Sequence, residues 1–157
     1  MKSIKNFIFL TFLGFIILFS SCGRHVLIDK SMVINGVWPK DKPGIFKVEV
    51  TDTSKLYNFY LNIRHNNNYR FSNLYVFLQT RFPNNNISRD TLEIVLANKD
   101  GKWLGKGWGN IKEDIIVLKK NLRFPIKGEY EFVFWQGMRK DTLIGIEDIG
   151  IRIQQVK

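Results

Sequence analysis

Tyr57-Asn58-Phe59-Tyr60-Leu61-Asn62-Ile63-Arg64 decides the fold class. Tyr57, Phe59, Leu61 and Ile63 alternate with Asn58, Tyr60, Asn62 and Arg64. That period of two puts one set of side chains on one face of a β-strand. Working outward, the period recurs on both sides. Phe46, Val48 and Val50 alternate with Lys47 and Glu49, and Leu92, Ile94 and Leu96 with Thr91, Glu93, Val95 and Ala97. Tyr130, Phe132 and Phe134 alternate with Glu131, Val133 and Trp135, and Ile149, Ile151 and Ile153 with Gly150, Arg152 and Gln154. Leu74 to Leu78 and Ile115 to Leu118 are more continuously apolar, which predicts strands buried on both faces or short helical pieces.

Turn chemistry separates these runs. Asn66-Asn67-Asn68 and Pro83-Asn84-Asn85-Asn86 suit turns because Asn tolerates left-handed backbone and bonds its own main chain. Lys99-Asp100-Gly101 is a turn of the Asp-Gly type. Roughly seven or eight short strands at this spacing predict an all-β fold, an antiparallel β-sandwich of which the jelly roll is one strand order. The run Ile149 to Ile153 ends near the C-terminus and is expected inside a sheet, where it ties the terminus down.

The N-terminus has another character. Lys2 and Lys5 precede 13 uncharged residues, Phe7 to Phe19. A bilayer span needs about 20 apolar residues, so the run is short for a permanent anchor. A charged start, a short apolar core and the small pair Ser20-Ser21 have the form of a secretory signal. Cys22, the only cysteine, follows directly. Phe19-Ser20-Ser21-Cys22 resembles the bacterial lipobox, departing at Phe19, where that pattern prefers Leu. The expected organisation is a lipoprotein signal peptide over 1–21, a lipidated Cys22 with a tether over 22–36, and a β-sandwich over 37–157. Residues 23 to 36 hold few large apolar side chains after Ile28. They are not Gly/Ser-rich either, which leaves room for part of the segment to pack on the domain. Lipidation removes the one thiol, so stability must come from a core, and 45% hydrophobic with 14% aromatic residues is enough to build one.

The charge of +10 becomes +8 once Lys2 and Lys5 are lost with the signal. An exported basic domain points away from nucleic acid and toward anionic headgroups or an acidic protein, with a merely solvated surface of basic bias as an equal alternative. Catalytic candidates are sparse. His25 and His65 share no ligand spacing that suggests zinc, and no metal is expected. His65 is the one plausible base for a hydrolase, but no Gly-x-Ser-x-Gly turn accompanies it. Asp90 with Glu93, or Glu147 with Asp148, could form a glycosidase-like pair, and neither lies in a context that marks it.

Gly101-Lys102-Trp103-Leu104-Gly105-Lys106-Gly107-Trp108-Gly109 is neither a dinucleotide fingerprint nor a P-loop. Either it presents Trp103 and Trp108, beside Lys102 and Lys106, to a partner, or its tryptophans plug the end of the sandwich. Arg139 is a further candidate contact, with an ion pair to Glu147 or Asp148 as its structural alternative.

Asp90-Thr91-Leu92-Glu93, Leu96-Ala97, Gly101 to Gly107, Gln136-Gly137-Met138-Arg139 and Leu143 to Arg152 stand in this order behind the lipobox. The set resembles the GldH family of gliding motility lipoproteins over nearly the whole mature chain. The resemblance implies a membrane-anchored, non-catalytic part of the gliding machinery, linked to type IX secretion. Its partners would be other proteins of that machinery, with no cofactor, nucleic acid or small-molecule substrate. In such bacteria, acidic residues just after the lipidated Cys resemble a surface-export signal. Here the first acid is Asp29, which predicts an outer-membrane lipoprotein facing the periplasm. The competing expectation is a carbohydrate-binding envelope lipoprotein, favoured by Trp38, Trp103 and Trp108 exposed in one coplanar row and opposed by buried tryptophans.

Overall fold

The computed structural model describes residues 25–156. Cys22 and the expected signal peptide over 1–21 lie outside them. Ten strands run in chain order: β1 (Val26–Val33), β2 (Val37–Pro39), β3 (Gly44–Val50), β4 (Tyr57–Asn66), β5 (Asn73–Arg81), β6 (Ile87–Val95), β7 (Ile111–Leu122), β8 (Gly128–Gln136), β9 (Thr142–Ile144) and β10 (Ile146–Gln155). Two four-stranded sheets, β1-β10-β4-β7 and β3-β8-β5-β6, form the layers, and β2 pairs with β9. Every pairing is antiparallel. With β2 and β9 set aside, this is the strand order of a jelly roll.

The alternation maps directly onto the core. Phe46, Val48 and Val50 of β3 face inward, as do Tyr57, Phe59, Leu61 and Ile63 of β4 and Tyr130, Phe132 and Phe134 of β8. β10 lies between β1 and β4 with Ile149, Ile151 and Ile153 fully buried, so the terminal strand is internal as expected. The Asn turns form as read: Asn68 N–H donates to Asn66 Oδ1 at 2.8 Å and Asn86 N–H to Asn84 Oδ1 at 3.1 Å.

Three expectations need correction. Residues 26–33 of the expected tether are strand β1, in register with β10 from Val26↔Gln154 to Val33↔Asp148. An internal β10 must satisfy its backbone groups on both sides. β1 does so as an edge strand, and its exposed Asp29, Lys30 and Ser31 hid the strand in the sequence. Leu74 to Leu78 is buried on one face only: Leu74, Val76 and Leu78 point inward while Tyr75 and Phe77 are exposed. Ile115 to Leu118 belongs to β7, at the edge of its sheet, with Ile115 and Val117 exposed. Apolar character alone does not separate a doubly covered strand from one whose outer face is bare.

Trp38 sits on β2 and is 1% exposed, with its Nε1–H donating to Lys42 O at 2.7 Å. Trp38→Ala is expected to lower stability by about 3–5 kcal/mol, because a large buried side chain leaves a cavity. Urea denaturation of the variant checks this, and a loss below about 1 kcal/mol would show that β2 and β9 can collapse around the gap.

Candidate functional site

The connection from β6 to β7 contains the glycine-spaced segment. Leu96 and Ala97 N–H groups both donate to Ser72 O, at 2.8 and 2.9 Å. Asn98 Oδ1 accepts from the N–H groups of Asp100 and Lys102, at 3.0 and 2.9 Å, and turns the chain. The chain then returns beside itself, with Trp103 paired to Ala97 and Leu104 N–H donating to Leu96 O at 2.9 Å. A second pair, Lys106↔Glu113, exchanges both backbone hydrogen bonds at 2.9 and 2.7 Å. Gly107-Trp108-Gly109-Asn110 is the tip closed off by that pair. A Cβ on Gly107 would stand 2.2 Å from Ile111 O, so only glycine fits at the neck of the loop.

The two tryptophans have opposite fates. Trp103 is half-buried and packs on the core, 4.4 Å edge-on from His65 and 6.4 Å from Tyr69 between ring centroids. Trp108 is 97% exposed. One tryptophan plugs the end of the sandwich and the other is free of it, and Lys102 and Lys106 are exposed on the same segment. Trp38 is in the core, so the tryptophans form no coplanar row.

His65 is 0% exposed, beneath Trp103. Its Nε2 lies 3.3 Å from Asp114 Oδ2, off the angle of a hydrogen bond, so both atoms are buried without a hydrogen-bond partner. A Cβ on Gly105 would stand 2.5 Å from that same carboxylate oxygen. His65 is therefore a buried packing residue, out of reach as a surface base. Tyr69 is buried beside it and its hydroxyl donates to Asn73 O at 2.7 Å, while burial pushes its ionisation well above the ordinary tyrosine value.

Arg139 is not part of this cluster, and its expected ion pair is not formed. Asp148 pairs with Arg64, Nη1 to Oδ2 at 2.9 Å, and Glu147 accepts from Asn66 Nδ2. Arg139 instead lines a separate open cavity of about 480 Å³ with Phe71, Tyr75, Phe77 and Met138. The sequence reading missed Tyr75 and Phe77 as surface aromatics. The signal was their alternation with aliphatic Leu74, Val76 and Leu78. Asp90 and Glu93 are three apart on one strand, so they point to opposite faces and form no pair.

Burial raises the Asp148 carboxyl above the usual range, and Arg64 opposes this less strongly. A raised folded-state value means that this group's stabilising contribution is complete below its unfolded pKa and is lost as pH rises through its folded pKa. Asp148→Asn should therefore gain stability relative to wild type between acidic and neutral pH, as read by urea midpoints across that range. A constant difference would show that the Arg64 pair cancels desolvation, and a difference that falls as pH rises would show that it outweighs it.

A family described as GldH lipoprotein matches residues 26–153. The chain belongs to the GldH lipoprotein family. It is 38% identical to a gliding motility lipoprotein GldH homolog of Christiangramia forsetii over 92% of this chain and 93% of that one. It is 36% identical to the gliding motility lipoprotein GldH of Flavobacterium johnsoniae over 88% of this chain and 91% of that one. Among solved structures, a family 35 carbohydrate-binding module from an environmental isolate is 12% identical, with a TM-score of 0.35, over 87% of this chain and 94% of that one. This GldH-family chain is thus a gliding-motility lipoprotein, membrane-anchored in the cell envelope.

Proposed function

We propose that the chain is a non-catalytic docking component of the gliding apparatus, linked to type IX secretion. Lipid on Cys22 holds it on the outer membrane, facing the periplasm. The Trp108 loop engages another protein of the machinery, with Lys102 and Lys106 beside the anchor.

The observation that carries the docking role is Trp108, 97% exposed on a loop closed by the Lys106↔Glu113 pair. A solvated tryptophan at the tip of a loop whose neck is closed by backbone hydrogen bonds has the form of an interface anchor, since its ring offers a large apolar area with only two side-chain torsions to order. Its position supports the same reading. β1 begins at Val26, shortly after Cys22, and Val26 shares an end of the sheet with Gln154, Tyr57 and Leu122. The Trp108 loop emerges at the other end, beside Asn66 and Ile111. A ten-residue strand such as β4 separates the ends by about 30 Å. The loop therefore faces away from the lipidated end.

The test places a photocrosslinking residue at position 108 in cells. Capture of one defined protein of the gliding or secretion machinery is the expected result. Capture of envelope polysaccharide alone, or of nothing while the protein is folded and anchored, would overturn the docking role.

A further inference from the structure

We propose that the tether-side end of the sandwich is a membrane-contact surface that rests on anionic phospholipid headgroups; this goes with, and in part rests on, lipidation at Cys22. Three observations carry it. The first is where the chain leaves the domain. Gln155 N–H donates to His25 O at 2.8 Å and Val156 N–H to Leu56 O at 2.8 Å, so His25 is fixed at the same end as Tyr57 and Leu122. Three residue steps separate Cys22 from His25, a reach of about 11 Å at full extension. A lipid on Cys22 cannot sit far from this end.

The second is charge. Lys119-Lys120-Asn121-Leu122-Arg123-Phe124-Pro125-Ile126-Lys127 carries four cations and no acid as β7 ends and turns into β8. Lys119, Lys120, Arg123 and Lys127 are all exposed, and none forms a salt bridge among the described residues. Lys55 joins them from the β3–β4 loop. Val50 at the end of β3 pairs with Gly128 at the start of β8, which places the two loops side by side, and Asp52 is held below the usual carboxylate range first by Ser54, then by Lys55 and Lys127. Glu129 and Glu131 nearby are paired with Lys47 and Arg81. Glu49, Asp52 and Asp90, the last lining an open cleft with Lys119, are left against these five cations. Unpaired cations at this end meet an anionic surface within a Debye length of about 8–10 Å, where each raises the affinity by about fivefold.

The third is the apolar fringe. Val26 and Leu56 are exposed at this end, and Pro125 is exposed within the basic turn. Apolar tips among cations suit the headgroup boundary, where apolar atoms leave water while charges stay with phosphate. An aromatic plug of Tyr57, Phe124, Tyr130 and Phe82 stiffens the end behind them, with centroids 4.8–5.6 Å apart.

The test uses the mature chain purified from membranes. Its N-terminal peptide is first weighed for lipid, and the protein is reconstituted in vesicles of phosphatidylethanolamine with or without phosphatidylglycerol. Amine acylation by a membrane-impermeant reagent is followed at each lysine by mass spectrometry. On anionic vesicles, Lys119, Lys120 and Lys127 should react several-fold more slowly than Lys99 and Lys102 of the distal end. The protection should vanish at high salt, and at the remaining Lys119 and Lys55 in the folded Lys120→Glu/Arg123→Glu/Lys127→Glu variant. Equal rates at the two ends on anionic vesicles, or protection that appears only when an acidic protein is added, would overturn the proposal. An unlipidated N-terminal peptide with the basic end still protected would overturn the Cys22 assignment and leave the contact surface standing.

Discussion

Trp108→Ala is expected to weaken capture of the machinery partner by about 30-fold or more, equivalent to about 2 kcal/mol, while leaving the unfolding midpoint of the domain where it was. The two effects separate because Trp108 is 97% exposed and touches little of its own fold. Exposed substitutions away from special features usually stay within about 0.5 kcal/mol of wild type. Trp103→Ala should behave in the opposite way. Its ring lies 4.4 Å from His65 and closes the sandwich end, so its removal should lower stability first and partner capture only through lost structure. Binding by titration calorimetry, beside thermal unfolding of both variants, distinguishes the roles. Unchanged binding in a folded Trp108→Ala chain would remove the glycine loop from the interface.

Gly145→Ala should prevent the domain from folding, or cost it about 4 kcal/mol or more, a large share of the roughly 5–15 kcal/mol typical of a domain. Gly145 lies between β9 and β10 at φ +96°, where an L side chain is strained. A Cβ there would stand 2.3 Å from Tyr69 N and 2.6 Å from Tyr69 Cα, both backbone atoms that cannot swing aside. The surrounding bonds tighten the constraint. Gly145 N–H donates to Gly36 O at 2.9 Å, and Asn66 N–H donates to Gly145 O at 2.8 Å, so three segments meet at this residue. Gly101→Ala is the control. Its φ is +76°, but nothing lies within 4 Å of its would-be Cβ, so only backbone strain of about 1–2 kcal/mol is expected. Soluble yield and urea denaturation of both variants decide the matter. Similar losses at the two positions would show that strain, and not the clash with Tyr69, dominates at Gly145.

Much of the fold is legible in the amino-acid sequence. The alternation at 46–50, 57–64, 130–134 and 149–153 marks strands whose inward residues are the buried ones. Period two is local chemistry: a strand half covered by a second layer needs apolar residues on one side and tolerates polar ones on the other. The Asn turns at 66–68 and 83–86 are equally legible, because their bonds span only two residues. The ordered motifs from Asp90 to Arg152 likewise point to the family that residues 26–153 match.

The tertiary structure decides the rest. Trp103 and Trp108 are five residues apart among the same glycines and lysines, and nothing local tells them apart. The Ala97↔Trp103 pair turns one onto His65, while the Lys106↔Glu113 pair closes the loop before the other. Arg64, and not Arg139, reaches Asp148 because β4 is the neighbour of β10. Residues 26–33 become a strand only because β10 offers them an edge more than a hundred positions away in the chain. Sequence periodicity states which face of a strand is wet. Which strands are neighbours, which end holds the tether and which aromatics remain in water follow from pairings between distant segments, whose free energy no single stretch of sequence carries.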